Sequence, residues 1–157
     1  MIIPSEHYES LQILYKALKD SDIKWVITGS LGFALHGMNV SVNDIDIQTD
    51  KHGAFHIANI FRSNIVTPIE LSESKKIRSY LGELNINGVK IEIMGDLQKK
   101  LSSGNWECPV SVEEHLEIIE YKGMKLPVLS LEYEEQAYRT LGRIEKANRI
   151  REWLTMG

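Results

Sequence analysis

Three carboxylates lie where extended strands would hold them close together, and that arrangement suggests a metal site. Asp44 and Asp46 are two residues apart in the alternating segment DIDIQT, so both side chains point to one face of a strand. Glu92 stands between two isoleucines in a later alternating segment. Two such charges about 4 Å apart repel by about 4 kcal/mol at an effective dielectric of about 20, so we expect a cation between them. Oxygen ligands favour Mg²⁺ or Mn²⁺ over zinc.

The pair Gly29-Ser30 suits the binding of an anion. It follows the β-branched segment IKWVIT, residues 23–28, and precedes a short apolar segment that ends at His36. This pattern predicts a strand, a sharp turn that glycine permits, and a helix whose first N–H groups are free to bind phosphate. Ser30 also suits the N-cap of that helix, and the two roles are compatible. A phosphate site beside paired carboxylates is what phosphoryl or nucleotidyl transfer requires.

The segment LGELNINGVKIEIM, residues 81–94, predicts the hairpin that carries Glu92. Asn87-Gly88 is a strong turn signal between two alternating segments. A two-residue turn there would pair Ile86 with Val89, Leu84 with Ile91 and Glu83 with Glu92. The residues expected on the core face are Leu84, Ile86, Val89, Ile91 and Ile93. On the opposite face, Glu83 is expected to support the site rather than to bind the metal.

The remaining periodicity predicts an α/β (α+β) fold with a mixed, largely antiparallel sheet backed by helices. Further strands are expected at residues 44–49, 64–71 and 124–129, with Pro68 confining the second of these to a sheet edge. Helices are expected at residues 5–20, 30–36, 50–61, 96–103 and 111–121, and from 130 nearly to the end with a break at Gly142. Asp50 and Ser130 are expected to cap the helices that begin there. The chain is therefore expected to form one domain, residues 1–157, with its motifs in 23–96 and a helical tail over about 111–157.

Composition and charge argue against several classes of protein. The chain has 157 residues, of which 43% are hydrophobic and 25% charged, values typical of a folded globular protein. Its net charge of −4 argues against a protein that binds long nucleic acid. Cys108 is the only cysteine, which rules out intrachain disulfides and fits a reducing compartment, so a cytoplasmic protein is expected. The N-terminus lacks signal-peptide features, and the uncharged stretch 25–43 is too rich in Gly, Asn and Ser for a membrane helix.

Three short motifs together resemble the signature of the DNA polymerase beta-type nucleotidyltransferase superfamily. They are TGS at residues 28–30, DIDI at 44–47 after thirteen intervening residues, and IEI at 91–93. The layout of the whole chain is similar to that of small stand-alone, or minimal, nucleotidyltransferase-like proteins, relatives of the aminoglycoside-modifying and antitoxin types. Two positions depart from the usual pattern. Thr28 replaces a hydrophobic residue, and Leu31-Gly32-Phe33 stands where many minimal members carry an arginine.

The resemblance implies a role for each motif residue. Gly29 and Ser30 would hold the β- and γ-phosphates of a nucleoside triphosphate. Asp44, Asp46 and Glu92 would bind two Mg²⁺ ions, and Glu92 would also help to deprotonate the acceptor hydroxyl. These five residues are therefore the expected catalytic, metal-binding and phosphate-binding set.

A basic cluster before the hairpin is a further candidate for nucleotide binding. The cluster consists of Lys75, Lys76 and Arg78, whose positive charges would neutralise the charge of the triphosphate as it enters the site. The competing interpretation is a solvated basic face, which is the commoner meaning of such a pattern and is favoured here. Only the position of the cluster relative to the phosphate site can separate the two.

Two cations near the C-terminus also have two interpretations. Arg143 and Lys146, in the segment GRIEK, either reach the nucleotide or form ion pairs along a helix. Pairing with Glu145 and Glu152 is the favoured interpretation. His36, on a mostly apolar helix, is expected to be a packing residue rather than a catalytic base.

The sequence therefore predicts an enzyme, a nucleotidyltransferase that depends on Mg²⁺ or Mn²⁺. It would move a nucleoside monophosphate group from a nucleoside triphosphate such as ATP to a hydroxyl or similar group on a small molecule or a protein. Two alternatives stay open: a catalytically idle member of the superfamily that acts as an interaction or antitoxin-like protein, and a terminal transferase that acts on RNA. A homodimer is compatible with the sequence, and no membrane partner is expected. No P-loop, dinucleotide-binding or HExxH motif competes with this interpretation.

Overall fold

Seven strands form one mixed sheet within residues 3–156, the range that the computed structural model describes. The helices are α1 (Ser5–Leu18), α2 (Gly29–Leu35), α3 (Lys51–Ile60), α4 (Leu131–Thr140) and α5 (Ile144–Met156). The strands are β1 (Trp25–Thr28), β2 (Ile45–Thr49), β3 (Ile65–Glu73), β4 (Ile77–Ile86), β5 (Val89–Lys99), β6 (Leu116–Tyr121) and β7 (Met124–Leu129). Short 3₁₀ turns span Arg62–Asn64 and Val112–Glu114.

The order of the strands brings distant parts of the chain together at the centre of the sheet. That order is β3-β4-β5-β2-β1-β7-β6. β2 is parallel to β5 and β1 is parallel to β7, whereas the other neighbouring strands are antiparallel. The expected mixed, largely antiparallel sheet is thus confirmed, and β3, which contains Pro68, is an edge strand as predicted.

The β4–β5 hairpin has the register that its turn predicts. Ile86 pairs with Val89, Leu84 with Ile91 and Glu83 with Glu92. Asn87 and Gly88 both have positive φ, 58° and 82°, as a type I′ turn requires. The residues predicted on the core face, Leu84, Ile86, Val89, Ile91 and Ile93, are all buried. Because side chains alternate along a strand, Glu83 and Glu92 share the opposite face.

Helices α1 and α3 cover the apolar face of the sheet. Leu11, Leu14 and Leu18 of α1 pack in the same core cluster as the isoleucines of β2 and β5. Ser10 of α1 is fully buried, and its hydroxyl donates a hydrogen bond to the carbonyl oxygen of Ile86 over 2.7 Å. These contacts leave the other face of β1, β2 and β5 free for polar side chains. No helix among residues 3–156 is long and apolar enough to cross a membrane.

The predicted cap of α3 is confirmed. The side chain of Asp50 accepts a hydrogen bond from the backbone N–H of Gly53 over 2.6 Å. The helix then lies very close to β5, since a Cβ on Gly95 would come within 2.8 Å of the carbonyl oxygen of Asp50. The absence of a side chain at Gly95 therefore sets the distance between α3 and the sheet.

The helix predicted at residues 96–103 is wrong, because β5 continues as a strand to Lys99. Its backbone pairs with the long strand β4, with Ile77 opposite Lys99 and Arg78 opposite Gln98. Asp96 takes a positive φ of 50° beside a register shift, which lets the strand bend and continue. The partner strand satisfies the backbone groups that a helix would have satisfied internally.

The helix predicted at residues 111–121 is also wrong, and the helical tail begins at Leu131 rather than at about 111. Residues 112–114 form a 3₁₀ turn, and residues 116–121 form β6, which pairs with β7 across the turn at Lys122-Gly123. The cap predicted at Ser130 is confirmed, since its hydroxyl accepts from the N–H of Tyr133. The break at Gly142, with φ of 77°, is confirmed as well.

The register of β5 can be tested with one pair of substitutions. Ile91→Ala should lower the free energy of unfolding by about 2–5 kcal/mol, because Ile91 is fully buried. The matched control, Ile118→Ala on β6, removes the same atoms from a residue that is 59% exposed and should change the value by about 0.5 kcal/mol or less. Urea denaturation measures both. Equal losses in the two variants would contradict the placement of Ile91 in the core.

Candidate active site

A single cleft contains all five residues of the predicted motif set. It lies on the polar face of the sheet, between β1, β2 and β5 on one side and helices α4 and α5 on the other, and has a volume of about 400 Å³. Its lining includes Gly29, Ser30, Asp44, Asp46 and Glu92. The structure thus brings the predicted phosphate turn and the predicted carboxylates to one place.

The turn from β1 into α2 depends on glycine. Gly29 has a φ of +68°, and a Cβ at this position would collide with Oδ2 of Asp46. The two residues are this close because Thr28 and Asp46 are partners in the antiparallel pairing of β1 with β2. The hydroxyl of Ser30 accepts a hydrogen bond from the N–H of Asn43 over 2.9 Å, which fixes the segment that leads into Asp44.

The carboxylates of the cleft repel one another. Asp46 and Glu92 are direct partners in the parallel pairing of β2 with β5, and Asp44 is on the same face two residues before Asp46. Burial, together with the negative charges of Glu92 and Asp44, raises the pKa of Asp46 to about 6. Keeping these carboxylates ionised in the folded chain therefore costs free energy, and a cation bound beside them would remove that cost.

Lys90 places one positive charge beside these carboxylates, although it was not among the site residues predicted from the sequence. Its Nζ lies 3.9 Å from Oδ2 of Asp44, 3.9 Å from Oε2 of Glu92 and 3.7 Å from Oε1 of Glu83. All four side chains are about a third to a half exposed, so these contacts contribute little to stability. The sequence did contain the information needed to place Lys90 at the site, because residues 90 and 92 must share a face of one strand.

The carboxylates fit a divalent metal by their chemistry, although they are not gathered around one point. Within the described range, no three His, Cys, Asp or Glu side chains are close enough together to hold a metal ion as they stand. Asp44, Asp46 and Glu92 nevertheless offer only oxygen donors, the type that Mg²⁺ and Mn²⁺ prefer. At Asp46, burial and the charges of Glu92 and Asp44 raise the pKa more than the charges of Lys90 and Lys146 lower it.

Glu134 on α4 is a second residue that the sequence analysis missed. It is only 5% exposed, and its Oε2 accepts a hydrogen bond from the hydroxyl of Thr28 over 2.7 Å. Burial raises the pKa of Glu134 to about 7, against the opposing effects of the Thr28 hydroxyl, the charge of Lys146 and the N–H of Gly29. The unusual threonine before the glycine is therefore the donor that a buried carboxyl requires. The spacing of Glu134 from Leu131 and Tyr138, on the apolar stripe of α4, was the available signal.

The basic cluster before the hairpin lies outside the lining of the cleft. Lys75 and Lys76 are exposed, and Nζ of Lys76 donates a hydrogen bond to the carbonyl oxygen of Leu141 over 2.9 Å. Arg78 donates to Gln98 over 2.8 Å and stacks on Trp106 with its Cζ 4.7 Å from the ring centre. A role of Lys75, Lys76 and Arg78 in nucleotide binding stays a prediction.

Arg143 and Lys146 do line the cleft. The ion pairs expected with Glu145 and Glu152 are wrong, since neither forms within residues 3–156. Arg143, just before α5, and Lys146, in its first turn, instead line the cavity. Their direction depends on how α4 packs against α5, which the sequence alone does not reveal. Pairing on α4 and α5 goes through other residues: Glu135 binds Arg139 and Arg151 over 2.8 and 2.6 Å.

A family model and a solved structure each match most of this chain. The family model of aminoglycoside-2''-adenylyltransferase matches residues 10–152. The crystal structure of TM1012 from Thermotoga maritima, a candidate nucleotidyltransferase, is 49% identical in sequence, with a TM-score of 0.87 over 99% of this chain and 97% of that one. A comparison with curated proteins gave no match.

A more distant solved structure shares the fold. The lincosamide antibiotic adenylyltransferase LnuA, in its lincomycin-bound form, is 16% identical, with a TM-score of 0.55 over 95% of this chain and 98% of that one. The nucleotidyltransferase fold expected from the sequence motifs is thereby confirmed. Because the family model spans most of the chain, the protein belongs to the aminoglycoside-2''-adenylyltransferase family and is a nucleotidyltransferase of the superfamily that its motifs resemble.

Proposed function

We propose that the chain transfers a nucleoside monophosphate group from a nucleoside triphosphate to a hydroxyl group of a small molecule, with Mg²⁺ or Mn²⁺ bound by Asp44, Asp46 and Glu92. The observation that carries this proposal is the pairing of Asp46 with Glu92 across β2 and β5, directly beside the glycine turn. The turn proposed to bind phosphate and the carboxylates proposed to bind metal therefore lie side by side on one sheet. ATP is the first donor to test, since the matching family and the distant structural neighbour are adenylyltransferases.

Each group of the cleft has a distinct task in this reaction. The free N–H groups after Gly29 bind the phosphates of the donor. A bound divalent cation would neutralise negative charge on both the phosphates and the carboxylates. The carboxylate of Glu92 accepts the proton of the acceptor hydroxyl as its oxygen attacks the α-phosphorus. The bond from the α-phosphorus to the bridging oxygen of the β-phosphate breaks, and pyrophosphate leaves with that electron pair.

A shallow groove next to the cleft suits the acceptor. It lies between β3, β4 and β5, has a volume of about 370 Å³ and shares Glu92 with the cleft. Glu70 and Glu83 also line it, so an acceptor with positive charge would be attracted. The size fits a small molecule rather than a folded protein, which agrees with the antibiotic acceptor named for LnuA.

The position of Lys90 favours the idle, interaction-type alternative as the second candidate. Its ammonium lies among Asp44, Glu83 and Glu92, where it competes with a metal ion for the same carboxylates. In an active enzyme, the divalent charge must displace this half-exposed side chain, whereas in an idle protein Lys90 stays in place. Metal binding and turnover therefore distinguish the two candidates.

The phosphate turn is tested by substitution at Gly29. Gly29→Ala should abolish detectable binding of ATP, because the Cβ would strain a left-handed backbone and displace Asp46. Ser30→Ala removes one hydroxyl and should weaken binding by about 0.5–1.5 kcal/mol, so it serves as the matched control. Calorimetric titration measures both, with circular dichroism to show that each variant is folded. Unchanged affinity in a folded Gly29→Ala variant would contradict the phosphate role.

The metal site is tested by the pH dependence of stability with and without metal. The folded pKa of Asp46, about 6, lies above the unfolded value of 3.8, so in EDTA the free energy of unfolding should fall as pH rises through this interval. Asp46→Asn should make that fall smaller, leaving the part that the raised pKa of Glu134 causes, and should be at least as stable as the wild type at pH 8. With Mn²⁺ at about a hundredfold excess over its Kd, the wild type should gain about 2.7 kcal/mol and the variant much less. Equal stabilisation of both proteins by Mn²⁺ would exclude Asp46 as a ligand.

The reaction itself is tested with ATP labelled at the α or the γ position, Mg²⁺ and a panel of cationic and neutral hydroxyl-bearing small molecules. Only the α label should reach the acceptor. Glu92→Gln should lower kcat by about 10²–10⁴-fold while leaving most of the ATP affinity, because a base acts mainly in the transition state. Glu120→Gln, the same change on an exposed strand at the far edge of the sheet, is the control. Transfer of the γ label would refute the mechanism.

A further inference from the structure

We infer that Arg143 and Lys146, at the start of α5, form the site that binds the outer phosphates of the triphosphate. This inference rests on the proposed function and adds the cations that its motif residues do not supply. The motif set contributes three carboxylates and one neutral turn, so the donor would enter a cleft of negative charge. Arg143 and Lys146 face this same cleft from the side opposite the carboxylates.

The two cations are held in place by an aromatic ring. Nζ of Lys146 lies 4.7 Å from the centre of the Tyr138 ring, and Cζ of Arg143 lies 5.3 Å from it. Nζ of Lys146 is also 5.6 Å from the Phe33 ring on α2, which begins at the phosphate turn. The N–H of Arg143 donates to the carbonyl oxygen of Tyr138 over 2.8 Å, so the connection between α4 and α5 is closed by a hydrogen bond.

Neither cation forms an ion pair with a carboxylate of the described residues. Within residues 3–156, no carboxylate oxygen lies within 4.0 Å of either side chain. Partial burial and the neighbouring charge of Arg143 lower the pKa of Lys146, despite the opposing effects of Glu134 and Asp46. Two partly buried like charges are stabilised by an anion, and the outer phosphates carry most of the charge of a triphosphate.

The other basic residues near the cleft are already engaged. Lys99 is only 2% exposed; its Nζ lies 2.6 Å from Glu107 and donates to the Tyr133 hydroxyl over 3.0 Å. Lys90 lies among the carboxylates. Lys76, which is not part of the cleft lining, donates to the carbonyl oxygen of Leu141. Of the three basic residues that line the cleft, Lys99 is thus paired with a carboxylate, and Arg143 and Lys146 are the cations left to bind an anion.

The test compares ligands that differ only in their outer phosphates. Calorimetric titration in Mg²⁺ would measure the binding of ATP, AMP and inorganic tripolyphosphate to the wild type, Lys146→Met, Arg143→Met and the double variant. Each single substitution should weaken ATP and tripolyphosphate binding about tenfold or more, the size expected for one charge-assisted hydrogen bond, and change AMP binding less than about twofold. Lys146→Arg should keep most of the ATP affinity. Lys16→Met, an equal loss of charge at an exposed residue of α1 outside the cleft lining, should bind all three ligands as the wild type does.

The outcomes separate this inference from the proposed function. Unchanged ATP affinity in the double variant, or equal losses for ATP and AMP, overturns the inference and leaves the reaction untouched. Tripolyphosphate binding that depends on Lys146, in a protein that transfers no nucleotide to any acceptor, supports the inference and counts against the proposed function. A wild type that binds neither ATP nor tripolyphosphate overturns both.

Discussion

The site depends on the backbone pairing of β2 with its two neighbours. Thr28 on β1 pairs with Asp46 on β2, Asp46 pairs with Glu92 on β5, and Glu92 pairs with Glu83 on β4. One row of four polar residues thus crosses four adjacent strands on a single face. The opposite face of the same strands is packed with isoleucines, so the row cannot shift by one residue without exposing the core. Hydrophobic burial on one face therefore holds in place carboxylates that repel one another on the other.

That repulsion explains the rest of the cleft. Asp46 has a raised pKa because it is partly buried beside Glu92 and Asp44, and Glu134 has a raised pKa because it is almost fully buried. Three cations lie near these carboxylates: Lys90 beside them, and Arg143 and Lys146 across the cavity. Under the proposed function, such a cleft would gain stability when a divalent cation and a polyanion enter together, which is the combination that a metal-bound nucleoside triphosphate supplies.

The errors of prediction have a common physical cause. Residues 96–103 and 111–121 carry weak periodicity, and in both segments a neighbouring strand competes with the helix for the backbone hydrogen bonds. β4 is long enough to pair with residues as far as Lys99, and β7 offers a free edge to residues 116–121. Local propensity could not reveal either partner, because each depends on how far another strand extends. The hairpin at Asn87-Gly88 was predictable because its partner strands are adjacent in the chain.

The sequence by itself determined the turn at Gly29, the shared face of Asp44 and Asp46, and the pairing of Glu83 with Glu92. Each of these follows from a short-range rule: the backbone freedom of glycine, the alternation of a strand, or the register of a two-residue turn. Only the tertiary structure decided that β2 lies next to β5, that Glu134 reaches Thr28, and that Arg143 and Lys146 face the cleft while Lys75, Lys76 and Arg78 lie outside its lining. These facts join residues that are 46 to 106 positions apart or depend on which side of a helix is packed, and no periodicity within one segment contains that information.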